Sequence, residues 1–166
     1  MKSKDKVYFT IILFGFLIAI AEFIFTEFEN WTYFGLWISE FTGFVMLLTN
    51  GTFIKTKHFK MLKLSISIII LGALFKLMHW PHHGTLLIIG FVSVIGVYIL
   101  SFINKPLKKR LDITKLFWVI VAYSGGLLSL LKLINHDYQV LSSALMWLAT
   151  IDYLISSRIQ YLKNRL

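Results

Sequence analysis

A chain of 166 residues that is 57% hydrophobic, 16% aromatic and only 15% charged is too apolar for a water-soluble domain, because such domains run at roughly 45–50% apolar and about 25% charged residues. A soluble core of this length lacks the interior to hide that much apolar surface. Two prolines argue against a disordered chain, and the lack of cysteine excludes disulfide frameworks, thiolate metal sites and cysteine nucleophiles.

A helix needs about 20 mostly apolar residues to cross a bilayer, since no water there satisfies an open backbone. Six stretches reach that length. The first, Val7–Phe28, follows Lys2, Lys4 and Lys6. Its start also has the form of a secretory signal, with Ala19-Ile20-Ala21 as a cleavage site. The apolar run continues to Phe25 and resembles the later segments, which favours a retained span. The second stretch, Trp31–Ile54, begins after Glu27-Phe28-Glu29-Asn30 and contains Asn50-Gly51 near its end. The third, Phe59–Trp80, stops at Trp80-Pro81-His82-His83-Gly84, where Pro81 and Gly84 are expected to end one helix and start the next. The fourth, Thr85–Ile103, ends at Asn104-Lys105-Pro106. The fifth and sixth, Thr114–Asn135 and Gln139–Tyr161, are divided at Asn135-His136-Asp137. The expectation is a single membrane domain over residues 1–166, an all-α integral membrane fold of six transmembrane helices. They are expected to pair as three antiparallel hairpins over 7–54, 59–103 and 114–161.

Charge orients those spans. Fifteen of the 17 basic residues lie before the first span, around the second and fourth breaks, or at the chain's end. The opposite turns carry Glu27, Glu29 and Asp137 without Lys or Arg. The positive-inside rule then puts both termini in the cytoplasm and the chain in the inner (plasma) membrane as a multi-pass protein. The net charge of +9 therefore reads as orientation, with some attraction to anionic headgroups. No basic–aromatic surface points to nucleic acid.

Three hairpins imply a repeat. Phe75-Lys76-Leu77-Met78-His79 aligns with Leu131-Lys132-Leu133-Ile134-Asn135 at an offset of 56, and the same offset carries Glu40 to Gly96 and on to Asp152. Glu22 takes the lysine's place in the first hairpin. Ala19, Ala73 and Ser129 stand three residues earlier, with Gly15, Gly72 and Gly125 nearby, and small residues at helical spacing let membrane helices approach closely.

Glu22, Glu40, Lys76, Lys132 and Asp152 thus fall inside the apolar stretches. A charge at mid-bilayer costs about 2.5–3.5 kcal/mol on insertion scales, so these residues are not expected to face lipid unaided. Lys76 and Lys132 sit about one turn from the outer surface and can snorkel; Glu40 and Asp152 lie deeper. Two roles fit the set: buried polar pairs that lock the bundle, or an ion path with Glu40 or Asp152 as protonatable carriers. The three histidines of the second outer turn lack an acidic partner, so no metal site is assigned there, nor any cofactor. No phosphate loop, Ser-His-Asp set, His-Glu-x-x-His or nucleophile elbow is present, so no enzymatic activity is assigned.

The segment Gly72-Ala73-Leu74-Phe75-Lys76-Leu77-Met78-His79-Trp80-Pro81, followed by an apolar span, resembles the N-terminal membrane region of the gliding-motility protein GldL and its relatives. The resemblance covers about 40 residues, Lys63 to Phe102, and marks Gly72, His79, Trp80 and Pro81 as the family's turn. It implies a helical hairpin in the bacterial inner membrane. In that family hairpins assemble around the membrane helices of a partner protein, in an ion-driven motor linked to secretion. A lysine on the first helix and a glutamate on the second are its ion-path candidates. Lys76 matches the lysine, but the helix that follows carries no acid from Ser93 to Phe102. The resulting expectation is a non-catalytic structural or accessory component of an envelope assembly, partnered by the bilayer and by a membrane protein or a second copy. The alternative is a small proton- or ion-conducting protein.

Overall fold

The computed structural model describes residues 3–24, 31–51, 53–135 and 137–163. The described residues form α1 (Ser3–Ile24), α2 (Trp31–Thr49), α3 (His58–Leu77), α4 (His83–Ile103), α5 (Arg110–Leu130) and α6 (Tyr138–Lys163), with a short 3-10 turn over Phe53–Lys55. No strand occurs among them. Three of these segments, α4, α5 and residues Tyr138–Ser157 of α6, are long and apolar enough to cross a membrane by length and composition. The chain divides into two compact units, residues 1–51 with 139–166, and residues 52–138.

In the first unit, α1 and α2 run antiparallel. Thr32 Oγ donates to the Ala19 carbonyl at 3.0 Å, Ser39 Oγ to the Ile12 carbonyl at 3.3 Å, and Asn50 Nδ2 to Asp5 Oδ1 at 3.1 Å. Contact is closest where Gly15 and Ala19 meet Gly35 and Ser39. A Cβ placed on Gly35 would stand 2.4 Å from the Gly15 carbonyl oxygen and 2.5 Å from the Ala19 nitrogen. Such small-residue pairs bring two backbones together where lipid tails supply no hydrophobic drive and dispersion must hold the helices. α6 joins this pair parallel to α2. Gln139 Nε2 donates to the Tyr33 carbonyl at 2.9 Å, and farther along Gly43 meets Met146 and Thr150.

In the second unit, α3 and α4 form an antiparallel hairpin. A Cβ on Gly72 would lie 3.0 Å from Leu87, and one on Gly90 would lie 2.6 Å from Ile69. α5 returns antiparallel to α4, with Phe91 against Tyr123 at 5.8 Å and Lys105 bridged to Asp112 at 2.6 Å. The pair expected as a third hairpin is divided, since α5 belongs to this unit and α6, from Gln139 on, to the other.

Two helices end earlier than their apolar runs predict. α3 stops at Leu77 rather than Trp80, and α5 at Leu130 rather than Asn135. Both finish in the same geometry. His79 and Lys132 take left-handed backbone (φ 57° and 59°), Trp80 N–H returns to the Phe75 carbonyl, and Leu133 N–H to the Leu128 carbonyl. This pattern is the six-to-one closure of a Schellman motif. His79 and Lys132 therefore correspond, 53 residues apart, and the same shift carries Gly72 onto Gly125. The offset of 56 is displaced by three residues at these helix ends, and Lys132 is the terminator of α5, not a helical counterpart of Lys76. Positive φ at the α3–α4 turn falls on His79 and His82, not on Gly84, which lies within α4.

Apolar residues such as Ile12, Met46, Val94 and Met146 fill the core, but small polar residues share it and large apolar ones also cover the surface. Ser39, Thr42, Ser142, Ser143 and Thr150 are buried in the first unit and Ser65 in the second, while Leu17 and Leu64 stand 63% and 65% exposed. Apolar surface on this scale needs a nonaqueous neighbour.

Candidate functional site

The most developed polar site lies inside the first unit. Glu40, midway along α2, is half-buried against α6. Ser142 Oγ donates to Glu40 Oε1, and Ser143 Oγ to Glu40 Oε2 at 3.2 Å. Both serines are 1% exposed. Adjacent residues on a helix point about 100° apart, so two consecutive hydroxyls reach a single carboxyl only because it stands opposite the gap between them. The parallel run of α2 and α6 puts it there. The arrangement satisfies both carboxyl oxygens, which a carboxyl taken out of water requires.

Other residues singled out by the sequence occupy different settings. Asp152 is half-buried in α6, ten residues past Ser142, hence about 15 Å farther along the helix. Glu22 lies in the last turn of α1, and its side chain falls outside the described residues. In the second unit Lys76 is exposed in the last turn of α3, its Nζ 3.5 Å from the Leu130 carbonyl. That carbonyl belongs to the final turn of α5 and has no helical partner of its own, so the lysine ties two helix ends together. Lys132 is exposed beyond α5. Glu40 and Asp152 thus belong to one unit, and Lys76 and Lys132 to the other.

The family turn is built around Trp80. Its ring packs edge-on against Phe75 with centroids 4.9 Å apart, Gly72 admits Leu87 of α4, and Pro81 follows. His83 Nδ1 lies 3.0 Å from the Trp80 carbonyl, so that nitrogen carries the proton. Among the described residues no group of three or more His, Asp or Glu side chains converges as a metal site.

Asp5 went unnoticed in the sequence. Between Lys4 and Lys6 it reads as a solvated terminus, yet it is 1% exposed. Asn50 at the end of α2 donates to Oδ1 and also to the Met46 carbonyl at 3.0 Å; Oδ2 is buried without a hydrogen bond. The sequence signal was available: Asp5 sits seven residues before Ile12, on the α1 stripe that continues through buried Ile12, Gly15 and Ala19.

Extensive exposed apolar surface, three membrane-length helices and a polar site satisfied from within define the class as a helical membrane protein. Residues 61–120 match the family model of the GldL N-terminal domain, from the first turn of α3 through α4 to the middle of α5. The resemblance carried by Gly72–Pro81 is thereby established, and it extends beyond the hairpin into α5. No curated protein and no solved structure matches the chain.

Proposed function

We propose that this chain is a non-catalytic, multi-pass protein of the bacterial inner membrane. It crosses six times with both ends cytoplasmic and serves as a structural or accessory part of an envelope assembly of the gliding-motility kind. The GldL N-terminal match over α3, α4 and part of α5 carries this reading. Two further observations support the topology. In the first unit the start of α1 and the ends of α2 and α6 share one end, since Asn50 meets Asp5 and α6 runs parallel to α2. In the second the start of α3, the end of α4 and the start of α5 do so, and these ends are where the basic residues concentrate. The chain has no cysteine, so single cysteines at positions 56 and 107 read topology directly. Labelling from one face is expected, and opposite faces refute six spans. For the assembly role, tagged protein is drawn from native membranes under gentle detergent. Co-purification of a membrane protein or a second copy is expected, and monomer alone refutes it.

The second reading, proton or ion conduction, draws on Glu40 and on Asp152, two half-buried acids of one unit. Proton flux in proteoliposomes separates the two. Flux above that of empty vesicles that falls in Glu40→Gln or Asp152→Asn supports conduction; equal flux in all preparations disposes of it.

A further inference from the structure

We propose that the basic end of the second unit is a binding surface for the phosphates of anionic phospholipids. This end assembles the first turns of α3, the link from α4 to α5 and the start of α5. His58 and Asn104 meet at 3.5 Å, and Phe53 packs on Tyr98 with centroids 5.6 Å apart, which fixes the α3 side against the link. Lys57, Lys60 and Lys63 stand exposed on α3; Lys108, Lys109 and Arg110 stand exposed on the link and first turn of α5.

Their charge is not cancelled locally. Asp112 is the sole acid between residues 52 and 136. One of its oxygens holds Lys105 Nζ at 2.6 Å, and the other accepts the backbone N–H of Lys109 at 2.9 Å. With that carboxylate committed to ordering the link, six exposed cations remain at this end among the described residues. Two of them are held over aromatic rings, Lys63 4.8 Å above Phe59 and Lys108 4.9 Å above Phe102. Such contacts place an ammonium group without neutralising it.

Apolar residues interleave with the cations. Leu107 is 78% exposed beside Lys108, Ile103 lies before the link, and Met61 and Leu64 are exposed between and beside the lysines of α3. A surface of isolated cations fits any polyanion. A rim that alternates exposed leucine and isoleucine with lysine and arginine fits the boundary where acyl chains meet headgroup phosphates. The occupant is therefore the anionic leaflet, not free phosphate.

The inference rests on the membrane-spanning reading, so its test is arranged to fail separately. The whole protein is reconstituted into mixed phosphatidylglycerol–phosphatidylcholine bilayers, extracted gently, and its retained lipid quantified by mass spectrometry. Phosphatidylglycerol is expected to be enriched over its bulk fraction. The enrichment should fall by about tenfold or more in Lys108→Gln/Lys109→Gln/Arg110→Gln, since each surface cation contributes several-fold to anionic-lipid affinity. It should persist in Lys108→Arg/Lys109→Arg, in Lys76→Gln at the other end of the unit, and in excess inorganic phosphate. Equal retention in the triple glutamine variant overturns the proposal, as does displacement of the lipid by phosphate. Release of the protein from vesicles by alkaline carbonate refutes the spanning reading; stable insertion without lipid preference refutes this inference alone.

Discussion

Substitution of Gly35 by alanine isolates the contact on which the first unit depends. An added Cβ would meet the Gly15 carbonyl oxygen at 2.4 Å and the Ala19 nitrogen at 2.5 Å. Ordinary contact begins near 3.4 Å, so α1 and α2 must separate by about 1 Å. Both obstructing atoms are helix backbone and cannot rotate aside. A gap of that size forfeits roughly a quarter to a half of each dispersion contact along the seam. It also lengthens the bonds from Ser39 to Ile12 and from Thr32 to Ala19. Overpacking of this kind costs about 1–3 kcal/mol, and rigid backbone on both sides argues for the upper end, about 3 kcal/mol. Gly96 supplies the control, because a Cβ there meets nothing within 4 Å. Gly96→Ala should stabilise by about 0.5–1 kcal/mol through helix propensity. Unfolding in mixed micelles, titrated with dodecyl sulfate and followed by helicity, measures both. Opposite signs are expected; if Gly35→Ala unfolds with wild type or with Gly96→Ala, the close seam does not exist.

Three further outcomes follow from individual contacts. Ser142→Ala/Ser143→Ala removes both donors to Glu40 and should cost about 1–2 kcal/mol in the same micelle titration, whereas Glu40→Leu in that background should recover most of it; no recovery refutes a local effect. Asp112→Ala removes the partner of Lys105 and the cap on Lys109 N–H, which should loosen the first turn of α5 by about 1 kcal/mol and speed its amide exchange; unchanged exchange there counts against the cap. His79→Gly should be neutral or stabilising and His79→Val destabilising, the two about 2 kcal/mol apart in unfolding free energy, because the β-branched residue resists φ 57°; equal stabilities refute the left-handed closure.

Much of the helical fold was legible because lipid imposes a simple rule on sequence: about twenty apolar residues, then a break. Helix starts at Trp31, His58 and His83 fall within two residues of the predicted ones. The ends of α3 and α5 were missed for a specific reason. A left-handed terminator is usually glycine, but here His79 and Lys132 fill that place, and Leu133-Ile134 continue the apolar run past it. Apolar length cannot register a turn made of apolar residues. The acids show the same division. Glu40 was flagged by its depth, whereas its serine donors were not, since serine is common in membrane helices and parallel packing of α2 on α6 is a tertiary fact. Asp5 escaped because flanking lysines disguised it, although its spacing to Ile12 and Ala19 put it on the buried stripe.

The magnitudes bear on why Glu40 is present at all. A carboxyl midway through a membrane helix costs about 2.5–3.5 kcal/mol on insertion scales. Hydrogen bonds between membrane helices return roughly 0.6 kcal/mol each on average, so the two from Ser142 and Ser143 offset less than half of it. The Gly15–Gly35 seam stabilises the same unit through packing and carries no such penalty. Stability alone would therefore favour leucine at position 40. What the carboxyl adds is direction: dispersion is satisfied by many rotations of α6 on α2, whereas an acid needing two donors accepts the one rotation and one register that bring both hydroxyls to it. That requirement acts with the Gln139–Tyr33 bond and the Gly43–Met146 contact to fix how α6 packs on α2. The same bonds bear on the conduction reading. A proton carrier must exchange partners, and every exchange at Glu40 would break the bonds from both Ser142 and Ser143. The geometry at Glu40 thus favours a fixed pairing element over a moving one.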